Sequence, residues 1–66
     1  MKFIVGKKYH IKLQWREEVI GLATYVTRYI LGLTIDGDSS QTLIEIEDIE
    51  KWREVGSDQY HYNQQP

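Results

Sequence analysis

The stretch that decides the fold is Val-Ile-Gly-Leu-Ala-Thr-Tyr-Val-Thr at residues 19–27, followed by Tyr-Ile-Leu-Gly-Leu-Thr-Ile at residues 29–35. Both runs are rich in β-branched and aromatic residues, which favour strands. Each run carries one internal glycine, Gly21 in the first and Gly32 in the second. A glycine inside a strand is typical of a bend or of a close backbone approach. The two runs therefore predict the central hairpin of a small, sharply curved sheet, with the glycines as its bend points.

The segment before this hairpin predicts a strand with one face in a core. Its odd-numbered residues are apolar and alternate with polar ones; they are Tyr9, Ile11, Leu13 and Trp15. The second strand, at residues 19–27, is apolar on both parities, which is usual for a strand covered on both faces. We expect the core on the side of Ile20, Leu22 and Val26. The other face, formed by Val19, Ala23 and Tyr25, is then predicted to be a partner surface.

The remaining strands follow the hairpin. Residues 36–41 form a loop by composition, and residues 42–47 predict a fourth strand. Residues 46–55 allow two interpretations: a turn at 48–50 with a closing strand at 51–55, or a short helix with Ile46, Ile49, Trp52 and Val55 on one side. The strand interpretation is favoured. Residues 57–66 are polar and without periodicity, which predicts a flexible tail.

These elements predict an all-β fold with one domain at residues 1–56. Five short antiparallel strands with bends at glycines suit a small, strongly bent barrel of the SH3-like or Sm-like type. With 66 residues the chain buries little surface, so its stability is modest.

Composition limits the classes of function. The chain has no cysteine, which excludes disulfides and thiolate metal sites. Its first residues are followed at once by charge, so neither a signal peptide nor a membrane span is predicted, and we expect a cytoplasmic protein. The net charge of −2 conceals an asymmetry. Residues 1–33 hold six basic and two acidic residues, whereas residues 34–66 hold two basic and eight acidic ones. Such a split can mark a partner-binding face or head-to-tail self-association, but the favoured interpretation is that the two halves neutralise each other across neighbouring strands.

No set of residues predicts an enzyme. His10 is expected on a solvated strand face and His61 in the tail, without a second ligand at metal spacing. Ser39 and Ser40 lack the sharp turn that activates a hydroxyl. The carboxylates at residues 45–50 are interpreted as a solvated acidic face rather than as a metal site. We predict no cofactor, no metal and no small-molecule substrate.

The chain resembles the Sm-like proteins, the family of Hfq and the Sm and LSm proteins, at residues 5–13, at Gly21-Leu22-Ala23 and at residues 43–49. The resemblance implies a shared scaffold and single-stranded RNA as ligand. The polar residues of the Sm pocket are, however, replaced by Thr27, Ile30 and Leu31, and a basic pair near the end by Glu47-Asp48. A second similarity, to the YolD-like proteins, lies in the Ile-Glu-Asp-Ile segment at residues 46–49. Fold analogy alone does not transfer function.

Two functional hypotheses follow. The first is a non-enzymatic protein that acts through protein–protein contacts, as a regulator, an adaptor or a homo-oligomer, with contacts through Val19, Tyr25, Tyr29 and Trp52. The second is a protein that binds single-stranded RNA or DNA through basic residues and one aromatic ring, namely Lys7, Lys8, Lys12, Arg16, Arg28 and Tyr29.

Overall fold

The computed structural model describes residues 3–15, 18–35 and 40–62. They form one antiparallel sheet of six strands, β1 (Lys8–Leu13), β2 (Glu18–Val26), β3 (Ile30–Thr34), β4 (Gln41–Glu45), β5 (Ile49–Glu54) and β6 (His61–Tyr62). The order across the sheet is β4-β3-β2-β1-β5-β6. The all-β prediction is confirmed, whereas the number of strands is six rather than five. No helix in the described ranges is long and apolar enough to cross a membrane.

One core lies on the concave side of the sheet. It takes residues from each of β1 to β5 and from the segment before β1, with Phe3, Tyr9, Ile11, Leu13, Ala23, Leu31, Leu33, Ile44 and Ile49 buried. The rings of Phe3, Tyr9 and Trp52 pack against one another, with centroids 4.7–5.5 Å apart. The alternation predicted for β1 is therefore confirmed from Tyr9 to Leu13.

The alternation does not extend to Trp15. β1 ends at Leu13, and Gln14 and Trp15 lie in the turn that follows. The indole of Trp15 is 70% exposed. The prediction that Trp15 lies in the core is wrong because the strand period applies only while the backbone remains extended.

From Val19 to Ala23, the two faces of β2 are the reverse of those predicted. Tyr9 pairs with Gly21, and Ile11 pairs with Val19. Because directly opposed residues share a face, Val19 and Ala23 point to the core and Ile20 and Leu22 point outward. Val19 packs against the core and Ala23 is fully buried, whereas Ile20 and Leu22 are exposed.

An irregularity between Ala23 and Tyr25 then changes the parity of β2. The register with β3 shifts there, so that Tyr25 pairs with Gly32 and Val26 with Leu31. Such a β-bulge adds a residue to one strand and increases its bend. After the bulge Tyr25 lies on the outer face, while Val26 packs against the core.

The two strand glycines lie where neighbouring strands come close. A Cβ atom on Gly21 would lie 3.1 Å from both Leu33 Cβ and the Thr34 carbonyl oxygen. One on Gly32 would lie 3.0 Å from Tyr25 Cβ and 2.8 Å from Gln41 Nε2. The glycines are therefore needed for close packing on either side of the bulge, rather than for a left-handed backbone.

The turn between β2 and β3 is closed by Thr27 and needs no glycine. The hydroxyl of Thr27 accepts hydrogen bonds from the backbone amides of Tyr29 at 3.2 Å and Ile30 at 2.9 Å. The Thr27 amide donates to the Ile30 carbonyl at 2.8 Å. A threonine hydroxyl here supplies the acceptor that stabilises a short turn.

Residues 46–54 form a turn followed by a strand, the order that the favoured interpretation predicts, but the turn and the start of the strand each lie two residues earlier than predicted. The turn is one 3₁₀ turn, Ile46–Asp48, and β5 begins at Ile49 and pairs with β1. The helical alternative is wrong beyond Asp48, because β1 offers β5 a full partner strand.

The sheet continues into the segment that the sequence assigns to a flexible tail. β6 pairs with β5 through Lys51 with Tyr62 and Trp52 with His61. The His61 imidazole stacks on the Trp52 indole with centroids 4.4 Å apart. Residues 61–62 are thus part of the sheet.

Candidate functional site

A recess lies along the outer edge of β4. It has a volume of about 320 Å³ and is lined by Leu13, Trp15, Val19, Thr42, Leu43, Ile44, Glu45 and Asp48. Residues 42–45 are consecutive in a strand, so their side chains point alternately to opposite faces. A recess bordered by all four therefore follows the backbone edge of β4. We call this recess the β4 groove.

β4 is a terminal strand of the sheet, paired only with β3 among the described strands. In an edge strand, part of the backbone N–H and C=O groups point away from the one neighbour and are open to a further strand. The β4 groove therefore combines a recess with a free backbone edge.

The opposite wall of the groove comes from β1, β2 and the turn between them. Leu13 is at the end of β1, Val19 is near the start of β2, and Trp15 is in the turn. The backbone amide of Gln14 donates to the Asp48 carbonyl at 3.0 Å, and Gln14 Nε2 donates to the Glu47 carbonyl at 3.1 Å. These bonds attach the turn to the 3₁₀ turn after β4 and hold the backbone next to Trp15 in place.

One end of the groove is acidic. The carboxylates of Glu45, Glu47 and Asp48 offer oxygens that all lie within 4.8 Å of one another, and Glu45 and Asp48 line the groove. We call these three residues the acidic cluster. Like charges at this spacing repel, so a cation placed among them is favourable. Exposed carboxylates of this kind occur commonly without a metal ion. The acidic cluster therefore forms a negative patch at this end of the groove.

The lining of the groove combines apolar side chains with the carboxylates of Glu45 and Asp48. It offers an apolar floor, a free strand edge and negative charge at one end.

The structure separates the four residues predicted to contact a protein partner. Val19 lies in the floor of the groove. Tyr25 lies on the outer face, in one row across the sheet with Gly32 and Leu43. Tyr29 is exposed in the β2–β3 turn, and Trp52 packs on β5 between the core and His61. Of these four residues, Val19 alone lines the groove.

The described basic residues of the nucleic-acid hypothesis lie in two places: Lys7, Lys8 and Lys12 lie on or just before β1, whereas Arg28 lies in the β2–β3 turn. Lys7 Nζ forms an ion pair with Glu54 at 3.1 Å, and Lys12 Nζ donates to the Leu13 carbonyl at 2.7 Å. Lys8 is half-buried on β1, and Arg16 lies outside the described residues. Only Arg28 lies with its predicted aromatic partner, with its guanidinium carbon 5.9 Å from the Tyr29 ring centroid.

The histidines differ from their predicted settings. His10 is half-buried rather than solvated, and its Nε2 is paired with the Glu18 carboxylate. Its Nδ1 is buried without a hydrogen-bond partner among the described atoms. His61 is held against Trp52. Neither residue lines the groove.

Sequence reasoning missed Trp15 and Leu43 as surface residues. Leu43 is 61% exposed, and the sequence does hold a signal for it, because its parity opposes that of Ile44 and Ile46.

Comparison of the chain with family models, with curated proteins and with solved structures gave no match.

Proposed function

We propose that this protein is a non-enzymatic binding protein that acts through protein–protein contact. The β4 groove is the contact site. The observation that supports this is the coincidence of a free strand edge with exposed apolar side chains, Trp15 and Leu43, on its two sides. Large exposed apolar groups beside a recess mark surfaces that partners cover.

The scaffold of this site is a small, open β-barrel. Residues from both ends of the β4-β3-β2-β1 part of the sheet, Leu13 and Ile44, line the same groove. The amide of Ile46 donates to the Tyr29 carbonyl at 2.9 Å, which ties the end of β4 to the β2–β3 turn. A sheet that curls this far leaves one gap, between β4 and the β1–β2 turn, and the groove is that gap.

Single-stranded nucleic acid is the second candidate ligand, supported by the contact between Arg28 and Tyr29. A guanidinium beside an exposed ring is a usual element of a stacking platform. The acidic cluster at the groove disfavours phosphate there, so a nucleic acid would use the β2–β3 turn instead.

The experiment is site-specific photo-crosslinking in a lysate of the native cell. A photoreactive phenylalanine analogue replaces Leu43 in one protein and Tyr62 in a control, since both side chains are about equally exposed. We expect protein adducts from position 43 that are lost in the Trp15→Ala background and are insensitive to nuclease. No protein adduct from position 43, or equal adducts from both positions, would overturn the proposal.

A further inference from the structure

We infer that the β4 groove binds an extended peptide segment of alternating apolar and basic residues, which adds to β4 as a new edge strand. This inference rests on the proposed function and names the chemistry of the partner. Three features of the groove carry it: the strand edge, the apolar floor and the acidic cluster.

The strand edge determines the conformation of the partner. The free groups of β4 repeat along an extended backbone, and only another extended backbone matches them over several residues. The groove follows residues 42–45. At about 3.4 Å per residue this edge spans roughly 14 Å, which is the length of a four- or five-residue strand.

The apolar floor determines one face of the segment. Leu13, Val19 and Ile44 lie in the groove, with Trp15 beside them. Leu13 and Ile44 are buried, whereas Trp15 is 70% exposed and can close over an incoming side chain. Every second side chain of an added strand faces this floor, so these positions favour aliphatic residues.

The acidic cluster determines the charge of the segment. Glu45 and Asp48 line the groove at the end of β4, and Glu47 lies within 4.8 Å of both. A lysine or arginine beside Glu45 relieves the repulsion among the three carboxylates and adds charge-assisted hydrogen bonds. A peptide with glutamate in the same place adds to the repulsion.

Among the described residues, a second copy of this chain has its alternating apolar and basic segments in β1 and β5, and both strands are already paired within the sheet. β4 itself contains no basic residue, and residues 57–62 contain Asp58 and neither lysine nor arginine. The apolar and basic segment before β1 is already used, because Phe3 is buried in the core against Tyr9 and Trp52. The partner is therefore a different chain.

The test uses capped synthetic hexapeptides and the full-length protein. One peptide alternates valine and lysine, a second alternates valine and glutamate, and a third keeps the lysines but replaces two valines by proline. Binding is followed by heteronuclear NMR, through the amides of residues 42–45 and the Trp15 indole. We expect the valine–lysine peptide to shift these signals, and the other two to bind at least about tenfold more weakly, a difference of about one decade in Kd.

Matched variants locate the site. The double variant Glu45→Gln with Asp48→Asn is expected to weaken binding of the valine–lysine peptide about tenfold, which is about one decade in Kd. Leu43→Ser is expected to weaken it severalfold, by less than about one decade. Glu50→Gln, an exposed carboxylate on β5 outside the groove, is expected to leave binding unchanged. Leu43→Ser provides a second test of the groove if the double variant fails to fold, because Leu43 is largely exposed and its replacement should leave the fold intact.

The outcomes separate this inference from the proposed function. Equal binding of the acidic peptide, equal binding of the proline peptide, or shifts outside the groove would each overturn it. If the peptides fail while position 43 still crosslinks to protein, the proposed function stands and the chemistry of the partner is wrong. A dimer of the protein that is lost in Leu43→Ser would also overturn it, since a second copy would then be the occupant.

Discussion

Replacing Gly21 by alanine tests how closely β2 and β3 must approach beside the bulge. The added methyl group would lie 3.1 Å from Leu33 Cβ, 3.1 Å from the Thr34 carbonyl oxygen and 3.4 Å from the Thr34 carbonyl carbon. None of these atoms is the end of a flexible side chain. The backbone of β2 must therefore move away from β3 at the place where Leu22 pairs with Thr34.

The expected loss of stability is the difference of two effects. Overpacking a tight site costs about 1–3 kcal/mol. Alanine restricts the unfolded chain more than glycine does, and this effect stabilises the folded protein by about 0.5–1 kcal/mol, which offsets part of the overpacking cost. At the midpoints of the two ranges the net loss in the free energy of unfolding is about 1.3 kcal/mol, which in a domain of this size lowers Tm by roughly 5–10 °C.

Urea unfolding followed by far-ultraviolet circular dichroism measures this loss. The contrast is Gly32→Ala, where the nearest atom, Gln41 Nε2 at 2.8 Å, belongs to a flexible side chain. Adding Gln41→Ala should therefore recover part of the loss at Gly32 and none of the loss at Gly21. An unfolding midpoint of Gly21→Ala at or above that of the wild type would refute the close-approach reasoning, as would recovery of Gly21→Ala by Gln41→Ala.

Three further predictions concern other parts of the fold. Thr27→Ala removes the acceptor for two turn amides and should cost about 1–2 kcal/mol, whereas Thr27→Ser should cost less; equal losses by chemical denaturation would contradict this. Lys7→Gln should change stability by less than about 1 kcal/mol, because its ion pair with Glu54 is half-exposed; a larger loss, measured in the same way, would show that the pair is structural. His61→Ala removes the ring stacked on Trp52 and should shift the tryptophan emission to the red with a loss of about 0.5–1.5 kcal/mol; an unchanged spectrum would mean that β6 does not cover that ring.

Short-range patterns predicted much of the fold. The alternation of Tyr9, Ile11 and Leu13 identified β1 and its inner face, and the interruption of the pattern at residues 48–50 indicated a turn followed by a strand. Both signals depend on a few neighbouring residues. They succeed because strand period and local turn chemistry are properties of the chain itself.

The faces of β2 were not predictable in the same way. A strand that is apolar on both parities has no preference for which face it buries, and a one-residue shift of its pairing register turns every side chain to the opposite face. The choice depends on the pairing of Ile11 with Val19, which is a contact between strands. The bulge at Thr24 then returns Val26 to the core, and nothing in the composition of residues 19–27 marks that position.

The candidate site depends even more on topology. The carboxylates of Glu45, Glu47 and Asp48 were expected to form a solvated face, and two of them are indeed exposed. Their position beside a groove follows from β4 being a terminal strand and from the hydrogen bonds of Gln14 to the 3₁₀ turn. Strand order is a property of the whole sheet, so no local pattern could place Trp15 opposite them.

The same charges explain how an open strand edge can be selective. An unprotected edge pairs with any other edge, including that of another copy, and charged residues are a common defence against this. Two copies of β4 could pair in either direction. Antiparallel pairing would place each Glu45 beside neutral residues near Gln41 of the other copy. Parallel pairing would place the carboxylates of the two copies beside each other. Neither arrangement neutralises the acidic cluster. A foreign strand that carries lysine or arginine at this end does neutralise it, so the cluster is expected to disfavour self-association and to favour a basic partner through one electrostatic effect.

A high salt concentration tests this electrostatic origin of the selectivity. At an ionic strength of about 1 M, where the Debye length is about 3 Å, we expect weaker binding of the valine–lysine peptide. The affinities of the valine–lysine and valine–glutamate peptides should then lie closer together. Peptide affinities that keep their ratio at high salt would show that the selectivity does not come from the charge of the cluster.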